Sequence, residues 1–446
     1  MRSAYCGTAV PAAAFALLAA VACPNAGGAQ RPSRSRPHVT ALTHATLIDG
    51  TGAGPQVGRT VLVQGKRILS VFPDGARPIP DSATVEDLSG KWVIPGIMDA
   101  HVHMTGAAPD AAGYEKLMRW MVEGGVVAIR DMAGDSRVLS SLARSAMLDE
   151  IVSPDIRYSA LMAGPTFFAE DARVASTSEA VLVGAAPWMR AVDETTAIPL
   201  AVAEAKGAGA TALKLYANLP ADVVAGLTAE AHRQGLLVWA HATVFPTGPS
   251  EEAADGVDVL SHTAYLVWEA APRVPQDYTV RAKGDFEHTR PDAPRILAVL
   301  DSMKARGEIL DATLRVFEDE EAHTPDAAGK GIAEWGAAVT RLAHERGVLV
   351  DAGTDNMGSP EDTVPNVHRE MASLVDHAGF TPVEAIGAAT RVAAMTMGLE
   401  ATHGTVSAGK MADLVVLSAD PATDIRNTRA IVEVWKHGQR VVPGGK

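Results

Sequence analysis

The sequence predicts an α/β chain: a TIM (β/α)8 barrel with a small β-sandwich domain built from both termini. Three observations carry this. Apolar runs of strand length alternate with helical patterns from about residue 96 to 403. Both ends of the chain instead read as short strands separated by turn residues. Residues able to hold a metal ion recur at the ends of the predicted strands, at spacings that fit one strand and one helix per unit.

In the middle region the strand candidates are Val126–Ile129, Ile156–Leu161, Ala212–Tyr216, Leu236–Ala240, Val257–Leu260, Ile309–Leu314 and Val348–Ala352. Ala221–Gln234 reads as one of the helices between them, with Gly235 as its stop. Near the N-terminus, Thr46–Ile48, Thr60–Val63 and Arg67–Val71 are β-like and are separated by Gly50, Gly52, Gly58 and Gly65. The C-terminal stretch has the same texture, with Ala412–Leu417, Ile431–Trp435 and a turn at His437-Gly438. Residues 38–95 and 404–446 are therefore expected to form one β domain beside a barrel of residues 96–403.

The chain has 446 residues, 47% hydrophobic and 21% charged, which is a globular composition. Its net charge of −14 is spread along the sequence. That argues for solubility and against nucleic acid as a partner, since such binders carry a basic patch. Both cysteines, Cys6 and Cys23, lie near the N-terminus, so the rest of the chain has no thiolate ligand, no cysteine nucleophile and no disulfide.

Arg2 followed by the apolar run 12–22 reads as a secretory signal, too short to span a bilayer comfortably. The signal peptide is expected to cover residues 1–29, with 30–37 as a flexible leader. Ala20-Val21-Ala22-Cys23 also resembles a lipobox without its usual leucine. Export to the periplasm is expected, with a lipid anchor at Cys23 as the one route to a membrane.

The strongest local signal is Pro95-Gly96-Ile97-Met98-Asp99-Ala100-His101-Val102-His103. Side chains alternate faces along a strand, so His101 and His103 point the same way and can share a metal ion. Alone, this pattern is also compatible with polar surface. Four further residues lie at or just past strand ends: Lys214, His241, His262 and Asp355. Lys214 and His241 are 27 residues apart and His241 and His262 are 21 apart, each one barrel unit; the 93 residues to Asp355 leave room for two units and an insertion. Each has a plainer reading as well. Lys214 could be a surface lysine, His241 and His262 hydrogen-bonded core residues, and Asp355 a helix cap. His232, His344, His368, His377 and His403 fall in helical or loop runs and receive no role.

With these residues in place, the chain resembles the amidohydrolase superfamily, in its imidazolonepropionase-like and prolidase-like branch. The resemblance runs from Leu42–Gly50 through Lys91–Gly96 and Thr390–Ala394 to Gly409–Val416. It implies cleavage of a carbon–nitrogen bond by a metal-activated hydroxide, in a peptide-like or N-acyl amino acid substrate. It also implies roles. His101 and His103 would bind a buried metal, His241 and His262 a second one. Lys214 would be N-carboxylated and bridge two divalent ions, expected to be zinc. Asp355 would bind metal and carry the catalytic proton. A small-molecule substrate and a homo-oligomer are expected.

Substrate contacts are less marked in the sequence. Tyr216 could face the pocket. Arg130 and Asp131, ending the second strand, read as support for the ligands. The long connection 163–197, with Phe167, Phe168, Asp171, Arg173 and Trp188, could shape the pocket. Met162–Phe168 lacks the Gly-Gly-His run of dipeptidase-like relatives, and Ser261-His262-Thr263 replaces their Glu-His-Gly, which weakens an Xaa-Pro dipeptidase reading. The competing readings are a mononuclear hydrolase of a cyclic amide, which would not need Lys214, and a non-catalytic exported binding protein.

Overall fold

The structure is a computed structural model that describes residues 38–176, 181–323 and 330–444. The signal segment 1–29, the leader 30–37 and Cys23 lie outside the described residues.

Eight short parallel strands form the centre: β1 (Ile97–Val102), β2 (Val126–Asp131), β3 (Asp155–Ala163), β4 (Ala212–Leu215), β5 (Leu237–His241), β6 (Val259–Ser261), β7 (Ile309–Asp311) and β8 (Leu349–Asp351). Each pairs in parallel with the next. The ring closes where Ala100 N donates to Ala352 O at 3.1 Å and Asp355 N to His101 O at 2.9 Å. β1 and β2 are buried at every position, as strands covered on both faces must be. Their apolar side chains meet outer helices, while inward positions such as Ala212, Trp239, Val259 and Ile309 fill the interior. Trp239 is completely buried there, and the Arg130 guanidinium lies over its ring at 4.9 Å.

Helix Ala221–Gln234 begins and ends where its sequence pattern does, and Gly235 stops it in the left-handed conformation, φ 77°. The strand expected over Ile309–Leu314 ends earlier, at Asp311. Leu314 instead opens a helix, because the buried Glu370 carboxylate accepts from Leu314 N at 2.8 Å and Arg315 N at 2.9 Å. A tertiary contact there outweighs local strand preference.

The chain ends come together in a second, eight-stranded mixed sheet. Its order is Gln439–Val441, Ile431–Lys436, Leu414–Leu417, Trp92–Pro95, Val39–Leu47, Gln56–Gln64 and Arg67–Pro73, with Thr84–Asp87 pairing on Val39–Leu47. Leu42, Leu47, Val61, Val93, Leu414 and Trp435 enclose a core of their own. On the other side Ile94, Val415 and Val434 join the barrel core. The expected fold class, a TIM barrel with a small β domain from both termini, is the one the chain adopts. His437 and Gly438 form the two-residue turn before Gln439–Val441, both left-handed at φ 51° and 72°. That geometry matches the twist of a hairpin.

Candidate active site

The carboxyl ends of the barrel strands open on a cavity of about 410 Å³. Six side chains named from the sequence, His101, His103, Lys214, His241, His262 and Asp355, all line it. β1 carries His101, and His103 follows just beyond its end. Lys214 is the penultimate residue of β4 and His241 the last of β5. His262 and Asp355 stand just past β6 and β8 in the left-handed region, at φ 73° and 52°. Backbone of that kind in a non-glycine residue costs roughly 1–3 kcal/mol.

The imidazoles crowd each other. Ring centroids are 4.8 Å apart for His101 and His262, 4.5 Å for His241 and His262, and 5.5 Å for His101 and His103. Asp355 Oδ1 lies 3.0 Å from His103 Nε2 and 3.4 Å from His101 Nε2. His101, His262 and Asp355 each offer one ligand atom, all within 4.8 Å of one another. Burial holds His241 and His262 well below the ordinary imidazole pKa, and the Lys214 charge adds to this at both. Both rings are therefore neutral at pH 7, the form in which histidine binds metal. Burial would push Asp355 up, but the facing histidines hold it far below the usual carboxylate range.

Lys214 is the anomaly. Its Nζ is buried and, among the described residues, has no hydrogen-bond partner. Desolvation pushes its pKa down from 10.5 to about 7. An unpaired buried amine is costly. The neutral histidines, the ionised Asp355 and this orphan nitrogen make a donor set that fits divalent ions.

A carboxylate not singled out in the sequence holds the cluster from below. Asp311, the last residue of β7, accepts from His101 Nδ1 at 2.7 Å and from Arg130 Nη2 at 2.7 Å. His101 Nε2 is left facing the cavity. Asp311 sits at a strand end like the other site residues, but it falls inside the predicted strand Ile309–Leu314 rather than at its end. Arg130 and Asp131 do act as support. Arg130 reaches Asp311 and the Ala100 carbonyl. Asp131 accepts from Met104 N at 2.6 Å and Gly134 N at 2.8 Å, ordering the two loops at the rim.

Of the long connection, Phe167, Asp171 and Arg173 line the cavity, together with Tyr216. Arg173 Nη2 donates to the Tyr216 hydroxyl at 3.0 Å. Phe168 and Trp188 do not reach it; they are buried in the apolar cluster behind, where Arg137 covers the Trp188 ring at 5.0 Å. Tyr265 and Arg281, from the insertion after β6, complete the wall. Nothing in their local sequence distinguished them. The histidines left without a role stay outside the cavity. His368, for example, is buried against Thr428 and the Gly124 carbonyl.

A parallel barrel whose mouth gathers four imidazoles, a carboxylate and a partnerless lysine is the frame of a metal-dependent hydrolase. The chain belongs to the amidohydrolase family, whose sequence profile matches residues 92–441. It is 26% identical to the imidazolonepropionase of Chromobacterium violaceum over 399 residues, 83% of this chain and 88% of that protein. It is 30% identical to the ochratoxinase of Aspergillus niger over 153 residues, 32% of this chain and 31% of that protein. Among solved structures, a provisionally assigned prolidase from Bifidobacterium longum superposes with a TM-score of 0.69 at 27% identity, covering 92% of this chain and 97% of that one. The protein is thus an enzyme, a hydrolase acting on carbon–nitrogen bonds in a family that binds divalent metals.

Proposed function

We propose that the enzyme hydrolyses the amide bond of a peptide-like or N-acyl amino acid substrate, using two divalent ions, zinc, bridged by an N-carboxylated Lys214. The observation that carries this reading is the buried, partnerless Lys214 Nζ among four imidazoles. An ammonium there would repel divalent ions. With its pKa lowered to about 7, much of the amine is neutral near pH 7 and can add carbon dioxide to give an anion. The orphan cation then becomes a ligand of the right sign.

His101 and His103 would hold one ion, His241 and His262 the other, and Asp355 would contribute to the first. The ions supply Lewis acidity and lower the pKa of water. The chain's residues do the rest. Asp355, ionised and hydrogen-bonded to His103, takes a proton from the attacking water and delivers it to the leaving nitrogen. Phe167 and Met189 are among the apolar residues of the wall.

A second reading is a mononuclear hydrolase of a cyclic amide. Two observations favour it: His101, His262 and Asp355 suffice as a compact triad, and the imidazolonepropionase likeness spans 83% of the chain. Metal content and Lys214→Ala separate the two. The bridged reading expects about two ions per chain in the wild type and loss of ions and turnover in the variant. One ion per chain and an active variant would leave the mononuclear reading standing. Export through residues 1–29 and a homo-oligomeric state belong to this proposal and rest on the sequence alone.

A further inference from the structure

Outside the ligand cluster, two guanidinium groups face the cavity, Arg173 and Arg281. Their electrostatic situations differ. Arg173 is gripped by Asp171, with Nε 2.9 Å from Oδ1 and 3.1 Å from Oδ2. The Tyr278 hydroxyl steadies that carboxylate from the other side, donating to Oδ2 at 3.1 Å. The Asp171 charge is therefore already committed to Arg173.

Arg281 has no such counter-ion among the described residues. Among the described residues no Asp or Glu forms an ion pair with it. Its neighbours are phenols: the Tyr278 ring lies under the guanidinium at 5.6 Å, and Tyr265 lines the same cavity wall. Aromatic faces solvate a cation in part and do not cancel it. Arg281 is half-buried; desolvation opposes its charge, but the surrounding phenols outweigh this and the guanidinium stays ionised.

The position is also fixed rather than flexible. Arg281 lies in the short 3-10 turn Tyr278–Lys283, whose first residues are capped by Asp277 accepting from Thr279 N at 2.8 Å. Its own carbonyl accepts from Trp268 Nε1 at 2.9 Å. Trp268 in turn packs against the buried Phe245 at 5.6 Å. A preorganised guanidinium on a cavity wall, with its charge open to the cavity, is a receptor for a planar anion.

We propose that this anion is the α-carboxylate of the substrate, and that Arg281 is the specificity-determining residue that pairs with it. The substrate class is then narrowed to N-acyl amino acids and peptides cleaved at a C-terminal residue with a free carboxylate. This rests on the amide-hydrolase reading above. The layout suits it. Tyr265 shares the cavity wall with Arg281, and its ring lies 5.9 Å from His241 of the ligand cluster. In an N-acyl amino acid only the α-carbon separates the amide nitrogen from the carboxylate. A molecule held by Arg281 along the Tyr265 face therefore presents its amide beside His241 and His262.

The test uses matched pairs: N-acetyl-L-amino acids and their carboxamides, offered to the metal-loaded full chain while acetate release is followed. Each pair shares the scissile bond and differs only in the carboxylate. The expected result is a kcat/KM for the acids about tenfold or more above that for the carboxamides. Arg281→Gln should abolish the ratio by raising KM for the acids, and Arg281→Lys should restore part of it. Metal content and Tm report whether each variant is intact. Equal use of acids and carboxamides by the wild type, or an undiminished ratio in Arg281→Gln, overturns the proposal while leaving the hydrolase reading in place. If no acetate appears from either series, the amide-hydrolase reading has failed for these substrates. Equilibrium dialysis of N-acetyl-L-phenylalanine and its carboxamide then decides the carboxylate pairing. Selective retention of the acid by the wild type and not by Arg281→Gln supports it; equal retention overturns it.

Discussion

His101 Nδ1 and Asp311 Oδ2 lie 2.7 Å apart inside the barrel, both essentially out of solvent. The pair fixes which imidazole nitrogen faces the cavity, and Arg130 holds the carboxylate from behind. Partners of this kind orient ligands and raise their basicity. Asp311→Asn keeps the shape and removes the charge. It should weaken metal binding by about 10- to 100-fold, with activity falling in parallel when metal is limiting. Competition against a chromogenic chelator measures this. Wild-type affinity in the variant would show that Asp311 does not position His101.

Gly353 touches the same pair. A Cβ added there would lie 2.7 Å from the His101 Cβ and closer still to Asp311 Oδ1. No rotamer change of a flexible side chain can make that space, because both neighbours are buried and paired. Gly353→Ala should therefore cost about 1–3 kcal/mol of stability through overpacking. Its effect on turnover should be larger in proportion, roughly 100-fold or more, because His101 itself is displaced. A thermal melt and kcat/KM on the same preparation check both. Wild-type turnover would mean that the rim yields without moving the ligand.

Much of this arrangement was legible in the sequence because two periodicities encode it. Alternation along β1 places His101 and His103 on one face, and the repeat length of a strand–helix unit sends Lys214, His241 and His262 to one rim. The glycine-punctuated ends announced a β domain for the same reason, since turns leave local signatures. Asp311 carries no end-of-strand signal, because it falls inside the predicted strand Ile309–Leu314 rather than at its end. That strand was drawn to Leu314, and the true break depends on Glu370, 56 residues further along the chain, capping the next helix. Arg281 and Tyr265 were not readable at all. They sit in short 3-10 turns after β6, where no hydrophobic period exists, and only packing of Trp268 against Phe245 decides where they point.

The helix Pro382–Gly387 begins with a reciprocal cap. Thr381 Oγ1 accepts from Glu384 N at 3.3 Å, and Glu384 Oε2 accepts from Thr381 N at 2.8 Å. Thr381→Ala removes half of this box and should cost about 1 kcal/mol. That corresponds to a fall in Tm of about 2 °C for a chain of this size. Thr381 lies away from the cavity, so kcat/KM should be unchanged. An unaltered melting temperature would show that the cap contributes nothing to the rate-determining unit of unfolding.

The far end of the barrel carries an ionic clamp that gives stability a pH dependence. Asp155, the first residue of β3, receives Lys436 Nζ at 3.0 Å, His403 Nε2 at 3.1 Å and His437 Nε2 at 3.2 Å. Asp413 lies 3.3 Å from the same Lys436, and Asp149 Oδ1 is 2.6 Å from His437 Nδ1, with Lys66 on its other oxygen. Desolvation opposes charge on Asp155, but Lys436 and the two histidines hold it well below 3.8. Desolvation also opposes charge on His437, and its bonds to Asp155 and Asp149 outweigh that and raise it above 6.5. The signs follow by linkage. A depressed Asp155 contributes stability that is complete above the unfolded value of 3.8 and is lost as pH falls below it toward the folded pKa. A raised His437 contributes stability that is complete below 6.5 and is lost as pH rises through its folded pKa. The clamp is therefore strongest between those two values. His437→Gln should lower Tm most between pH 3.8 and 6.5, and the gap from the wild type should narrow as pH rises above 6.5 through the folded pKa of His437. Lys436→Met, which removes the lysine cation shared by Asp155 and Asp413 and leaves them only histidine partners, should be the more damaging change, at about 3 kcal/mol near neutral pH. Melting curves of the three proteins across pH 4 to 9 decide the matter, and a wild-type-to-His437→Gln gap that is the same at every pH would mean that His437 is not charged in the folded chain.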